Sequence, residues 1–264
     1  MSLTNYHSHT TRCLHASGTE EEYILEALRI GYDVLGFADH SPWPYKSDFV
    51  ATMRMRYDEL DDYLQTLRML REKYRSRIEL RIGLECEAFP EFYPWMRNLK
   101  KNGAVEYFIL GNHYDTTDEN NSGFYFGRCS EPRHLYRYME TTIAGMDSDL
   151  FVYLAHPDLF LHRYRRFDAA AREVSLTLAK EAKRLDLPLE YNLLGLLRHK
   201  IDCGDGYVGY TSDAFWETAA EIGGRAIIGV DAHSAAQLDC LDLYAQTREK
   251  LTKLGFEIVD RLNL

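Results

Sequence analysis

Short apolar runs recur along the chain, and five of them stop on a histidine or a carboxylate. They are VLGFADH at residues 34–40, IELRIGLE at 78–85, VEYFILGNH at 105–113, LFVYLAH at 150–156 and AIIGVDAH at 226–233. Each is the length of a strand buried on both faces. A first short strand is expected to end at Asn5–His9, and another at Leu189–Leu193. Between the strands the apolar period lengthens. Leu60, Leu64, Leu67 and Leu70 recur at spacings of four and three, which predicts a helix over about 57–74. Ser17 or Thr19 can cap a helix running to about Arg29, with Glu20, Glu21 and Glu22 in its first turn and Gly31 beyond its end. Further helices are expected near 91–101, 132–145, 168–185, 212–222 and 235–254, with Phe256–Val259 as a closing strand. The polar stretch Tyr114–Ser130 is long for a connection and reads as a functional loop or lid.

Consecutive strand–helix units argue for a parallel sheet. Pattern alone allows an open doubly wound sheet or a closed barrel. The placement of the polar residues favours closure, because six strand ends can reach one point only from a ring. The expected fold is therefore α/β, a distorted (β/α)7 TIM-like barrel with its site at the C-terminal strand ends. No repeat, low-complexity segment or linker divides the chain, so residues 1–264 read as one domain.

Composition adds constraints. The formal charge is −10, from 31 basic and 41 acidic residues, which disfavours non-specific nucleic-acid binding. It leaves room for a small phosphorylated substrate held by local cations. Five scattered cysteines (Cys13, Cys86, Cys129, Cys203 and Cys240) include no C-x-x-C pair. With no secretory signal, the expectation is a reducing cytoplasmic compartment and free thiols. No apolar run approaches the roughly 20 residues needed to cross a bilayer.

The candidate chemistry lies at the strand ends: His7, His9, His15, His40, Glu85, His113, His156, Asp231 and His233. His7 and His9 are two apart, so on an extended segment both rings point the same way. Asp231 and His233 repeat that spacing. Glu85 closes a buried run, where a carboxylate requires a partner or a metal, and a carboxylate can bridge two cations. The donors are nitrogen and oxygen throughout, a set that suits Zn²⁺, Fe²⁺ or Mn²⁺ alike.

This pattern resembles the PHP (polymerase and histidinol phosphatase) superfamily over nearly the whole chain. The matching motifs are H-S-H at His7–His9 with His15, A-D-H at Ala38–His40, G-L-E at Gly83–Glu85, G-N-H at Gly111–His113, A-H-P at Ala155–Pro157 and D-A-H at Asp231–His233. The resemblance implies up to three divalent metals. His7, His9, Glu85 and Asp231 would hold the first. Glu85 would bridge to a second, completed by His113 and His156. His15, His40 and His233 would hold the third. Within the superfamily the chain looks most like the histidinol-phosphate phosphatase branch, which implies hydrolysis of L-histidinol phosphate. The segment Asn192–Arg198 resembles that branch's N-x-x-G-L-R element, with one extra Leu between Gly195 and Arg198; there the Arg contacts phosphate.

Metals would lower the pKa of a water, so no Ser or Cys nucleophile is required. Arg198 and one arginine from Arg163, Arg165 and Arg166 can clamp the phosphate; the RYRR run at 163–166 also reads as a solvated basic start to the helix at Asp168. Asp231, Glu85, His233 and Asp39 are the candidates for catalysis; Asp39 can instead orient a ligand, and Asp231 can supply a proton. Glu87, Asp158, Trp43 and Tyr45 are candidate pocket residues, each open to a packing role. His134, His162 and His199 are left outside the site. Three other readings stand beside this one. One is a PHP phosphoesterase acting on nucleotides. Another is a metal-dependent amidohydrolase, which commonly uses a mid-barrel Lys that no strand here ends on. The third is a non-catalytic PHP module, which replaced ligands would support, and none is replaced.

Overall fold

The fold comes from a computed structural model that describes residues 2–202 and 206–264. Cys203 and the side chain of His199 lie outside the described residues. Eight strands line up in chain order, every neighbouring pair parallel. They are β1 (Thr4–Asn5), β2 (Val34–His40), β3 (Glu79–Cys86), β4 (Tyr107–Leu110), β5 (Phe151–Leu154), β6 (Leu189–Asn192), β7 (Arg225–Gly229) and β8 (Glu257–Ile258). Every residue of β2 is buried, as expected for a strand covered on both faces.

Closure differs at the two ends of the ring. At the C-terminal strand ends, Ser8 pairs with Ala232. The His9 N–H donates to the Ala232 carbonyl at 2.8 Å, and the Ala232 N–H to the His7 carbonyl at 3.1 Å. At the other end β8 lies on β7, and the Thr4 hydroxyl donates to the Asp260 carbonyl at 2.6 Å. The barrel is thus seven-membered where its ligands sit, with the eighth strand inserted at the far end. That insertion is the distortion of the (β/α)7 barrel.

Alternation along the strands then places the site. Tyr6, Val34, Ala38, Tyr107, Ile109, Tyr153, Ala155, Ile227 and Val259 form a small core of their own inside the ring. Tyr107 fills its centre and donates to the Tyr6 carbonyl at 2.7 Å. A Cβ on Gly36 would come within 2.3 Å of the Tyr107 hydroxyl, and one on Gly83 within 2.5 Å of its ring. Four residues beyond Gly36 and two beyond Gly83, on the same faces of their strands, stand His40 and Glu85, which are register partners. The ligand layer therefore rests directly on a plugged lumen.

The outer helices are α1 (Glu20–Ile30), α2 (Leu60–Tyr74), α3 (Tyr93–Lys101), α4 (Pro132–Met146), α5 (Ala169–Arg184), α6 (Leu193–Asp202), α7 (Asp213–Ala220) and α8 (Leu241–Lys253). Thr19 and Glu22 form a reciprocal cap at α1, and Gly31 ends it at φ 100°. The α2 stripe buries Leu60, Tyr63, Leu64, Leu67 and Tyr74. Helix α6 departs from expectation. Its sequence LLGLLR continues the apolar run of β6 without a break, so strand and helix read as one segment. The stretch 114–130 carries two 3₁₀ turns and an antiparallel bridge between Tyr114 and Tyr125. Cys13, Cys86, Cys129 and Cys240 are free thiols. No helix among the described residues is long and apolar enough to cross a membrane.

Candidate metal centre

Glu85 stands at the middle of the ring opening, 2% exposed. Its Oε1 lies 2.8 Å from His156 Nε2 and 3.7 Å from His113 Nε2. Its Oε2 lies 2.8 Å from His40 Nδ1, 3.5 Å from His7 Nε2 and 3.6 Å from His9 Nε2. Asp231 faces it across the opening, with Oδ1 3.4 Å from His7 Nε2 and 3.0 Å from His9 Nε2. His15, His40 and His233 gather beside His9, whose ring centre is 4.2 Å from that of His233. The fold thus brings together all nine residues singled out as ligand types.

The local backbone is bent to do this. His156 and Asp231 have positive φ, 29° and 55°. Such conformations cost of order 1–3 kcal/mol each and persist only where the surroundings enforce them. Gly111 leaves the space that Glu85 occupies, since a Cβ there would lie 2.0 Å from Oε1.

The second ring nitrogen of five histidines is tied down behind the opening. His7 Nδ1 lies 2.8 Å from Glu190, His9 Nδ1 3.4 Å from Asp39, and His113 Nδ1 3.0 Å from Glu87. His15 Nδ1 lies 2.7 Å from the Cys13 carbonyl, and His233 Nδ1 3.0 Å from the Asp231 carbonyl. Anchoring one nitrogen fixes the ring and turns the other inward, the arrangement a metal-ligating histidine requires. Asp39 is fully buried and also accepts from the Thr10 N–H and hydroxyl. It does not line the cavity; it orients His9.

Four of the inward atoms have no hydrogen-bond partner. His7 Nε2, His9 Nε2, Glu85 Oε2 and Asp231 Oδ1 are buried without a partner, although they crowd one another at 3.0–3.6 Å. Buried polar groups are seldom left unpaired. Carboxylate and imidazole atoms converging this way fit cations between them. Three of the nitrogen and oxygen groups that could hold an ion are His7–His9–Glu85, His40–Glu85–His113 and His15–His40–His233. A fourth, His9–Cys13–His233, adds a sulfur that the donor set read from sequence lacks. Burial, aided by Asp39, pushes the Cys13 thiol up to about 12. Burial alone would raise the Glu85 carboxyl; His40, His113 and His7 outweigh it and hold the group well below the usual range. Burial, with charge on His9, pulls His233 down to about 4, which leaves that ring neutral.

A cavity of about 730 Å³ opens over the centre. Glu85, His15, His40, His113, His156, Asp231 and His233 form part of its lining, and two arginines enter it, Arg128 and Arg198. Arg198 is carried there by α6. Arg163 and Arg165 lie elsewhere: with Arg128, Ser130 and Tyr207 they line a separate cavity of about 260 Å³. None of the arginines of the 163–166 run is among the residues lining the larger cavity. Arg163 and Arg165 flank Tyr207, at 5.7 Å and 5.4 Å from its ring centre. Arg128, from the 114–130 stretch, lines both cavities.

The candidate pocket residues fall behind the wall. Trp43 stacks on Phe92, and the Tyr45 hydroxyl donates to Asp118. Glu87 accepts from His113, and Asp158 accepts from the Ser212 N–H at 2.6 Å. Glu190 escaped the sequence reading as a support. It accepts from the His156 N–H at 3.0 Å as well as facing His7. The signal was a carboxylate inside the apolar run LPLEYN, which needs a buried partner.

Comparison with known proteins settles the family: the PHP domain pattern matches residues 5–193. The chain belongs to the PHP family. A relative from Deinococcus radiodurans, named "Probable histidinol-phosphatase", is 27% identical over 252 residues, covering 89% of this chain and 88% of that protein. The histidinol-phosphatase of Bacillus subtilis is 31% identical over 90 residues, 33% of this chain and 34% of that protein. Among solved structures, the histidinol phosphate phosphatase of Lactococcus lactis, solved with zinc, L-histidinol and phosphate, superposes with a TM-score of 0.68 at 16% identity. That match covers 100% of this chain and 99% of the other. It confirms the PHP barrel.

Proposed function

We propose that this PHP protein is a metal-dependent phosphomonoesterase that hydrolyses L-histidinol phosphate to L-histidinol and phosphate. The observation that carries the reading is the convergence of nine nitrogen and oxygen ligand types beneath a cavity entered by two arginines. The substrate follows from the names of the relatives and from the zinc, histidinol and phosphate held by the Lactococcus protein. Residues 1–264 act as one barrel domain, and the free thiols suit the cytoplasm.

His7, His9, Glu85 and Asp231 are assigned to one divalent ion, Glu85, His113 and His156 to a second, and His15, His40 and His233 to a third. Zinc is the first candidate, with iron and manganese compatible with the same donors. When bound, the metals supply Lewis acidity, which lowers the pKa of a water and offsets phosphate charge. The chain's own residues do the rest. Arg198 and Arg128 hold the phosphate oxygens as planar donors. Asn192 donates to Asp231 Oδ2 at 3.1 Å, which fixes the other oxygen toward the cavity. Burial alone would raise the Asp231 carboxyl, but His7, His9 and His233 hold it well below the usual range. It therefore stands as a carboxylate that takes up the proton of the attacking water and passes it to the leaving alkoxide, directly or through a second water. His233 and Glu85 keep their places as ligands on the cavity wall.

Phosphate release from L-histidinol phosphate, p-nitrophenyl phosphate and a nucleoside monophosphate, with metal analysis of the same sample, tests the reading. Preference for histidinol phosphate with two or three metals per chain supports it. Turnover of only the other esters would reassign the substrate and keep the chemistry. Glu85→Gln should abolish turnover and lower metal content, and near-normal activity in that variant would remove the polynuclear site.

A further inference from the structure

Arg54 is the one cation among the largest fully buried side chains, 1% exposed. It belongs to neither the metal ligands nor the cavity lining. Burying a guanidinium is costly unless its donors are met, and here they are met by three separate segments. Its Nε donates to Asp118 Oδ2 at 2.8 Å. One terminal nitrogen donates to Glu87 Oε1 at 3.3 Å and the other to the Ser41 carbonyl at 3.3 Å. Its plane lies 6.0 Å from the Trp43 ring.

The two carboxylates lead in different directions. Glu87 Oε1 lies 3.0 Å from His113 Nδ1, and its Oε2 accepts from the His113 N–H at 2.6 Å and the Tyr114 N–H at 3.2 Å. It fixes the ring whose Nε2 turns toward Glu85. Asp118 lines the cavity from the 114–130 stretch and is held by the Tyr45 hydroxyl at 2.6 Å. One guanidinium therefore grips both the support of a ligand candidate and the segment that walls the substrate cavity. A lysine cannot replace it, because a single ammonium lacks the fork that reaches both acids.

We propose that Arg54 is a positioning residue that couples metal occupancy at His113 to the order of the 114–124 segment. A cation bound at His113 Nε2 holds the ring, the ring holds Glu87, and Arg54 passes that constraint to Asp118. By reciprocity, a segment held down at Asp118 tightens metal binding. The proposal rests on the metal-centre reading but not on the identity of the substrate.

The test uses zinc as probe, on the full chain. Zinc affinity is read by chelator competition, and backbone order over 114–124 by hydrogen–deuterium exchange with and without zinc. In the unmodified protein zinc should slow exchange there. Arg54→Met should weaken the affected zinc by about 10-fold or more, the range for losing a support behind a ligand, and should abolish the zinc-dependent slowing. Asp118→Asn should free the segment with a smaller loss of zinc affinity. Glu87→Gln should weaken zinc and leave the segment's zinc-free exchange close to normal. These two variants separate the arms, and they carry the test should Arg54→Met fail to fold. Equal effects of both on both readouts would reduce the network to general stability and overturn the proposal. So would zinc-dependent protection that survives in Arg54→Met. Failure of the unmodified chain to bind zinc, manganese or iron would instead remove the metal reading itself.

Discussion

Gly111→Ala isolates the placement of Glu85 from its chemistry. Gly111 follows β4, and its N–H donates to the Cys86 carbonyl at 3.0 Å. Its φ is outside the left-handed region, so alanine meets no backbone penalty. It meets the carboxylate instead: the new Cβ would lie 2.0 Å from Oε1, 2.5 Å from Cδ and 2.6 Å from Cγ of Glu85. Ordinary contact begins near 3.4 Å, so the carboxylate must retreat by about 1.4 Å. Metal–ligand distances tolerate about 0.2 Å, and a misplacement of ~1 Å at a reacting centre costs about 100-fold, or ~2.7 kcal/mol of barrier. Overpacking of this kind costs stability too, about 1–3 kcal/mol, a fall in Tm of roughly 2–10 °C for a chain of this size. Expected results are a loss of kcat/KM of about 100-fold or more and at least one metal missing per chain by elemental analysis. Both values within twofold of the parent would mean that Glu85 does not bridge from the position described.

Three further outcomes are expected. Glu190→Gln weakens the acceptor for His7 Nδ1 and should lower metal affinity by about 10- to 100-fold with little change in the far-ultraviolet circular dichroism; unchanged affinity would remove Glu190 as a support. Arg198→Ala and Arg128→Ala should each raise KM for a phosphate ester by about 10-fold or more, whereas Arg163→Ala should leave it near the parent value, and the reverse ranking would restore the 163–166 run as the clamp. Removing metal with a chelator should abolish turnover and lower Tm without unfolding the chain, because the core stands apart from the ligands; complete unfolding would make the metals structural.

The site was legible in the sequence because its residues end strands, and an apolar run makes its last residue conspicuous. Glu85, His113, His156 and Asp231 each follow such a run. The parallel sheet was legible for the same reason. Helix α6 was not, since LEYN and LLGLLR share one apolar stretch with no cap or break between them. Arg128 and Arg54 were hidden differently. Both lie in irregular segments, where no period relates a residue to its neighbours in space. Arg54 in particular sits among Met53, Met55 and Arg56, and nothing there distinguishes a buried cation from a solvated one. The 163–166 arginines could not be placed from sequence, because a basic run before a helix reads the same whether it faces a phosphate or solvent.

The Ser8–Ala232 bridge is a seam between segments far apart along the chain. His7 is made 224 residues before Asp231, and His9 224 residues before His233. At the usual 5–20 residues per second, roughly 10–45 s pass before the two sides of the seam can meet. A cation captured in that interval would meet an open half-ring rather than the finished cage. The set His7, His9, Glu85 and Asp231 therefore comes together only when the seam closes, and a cation held before that point has fewer of these ligands than the folded barrel offers.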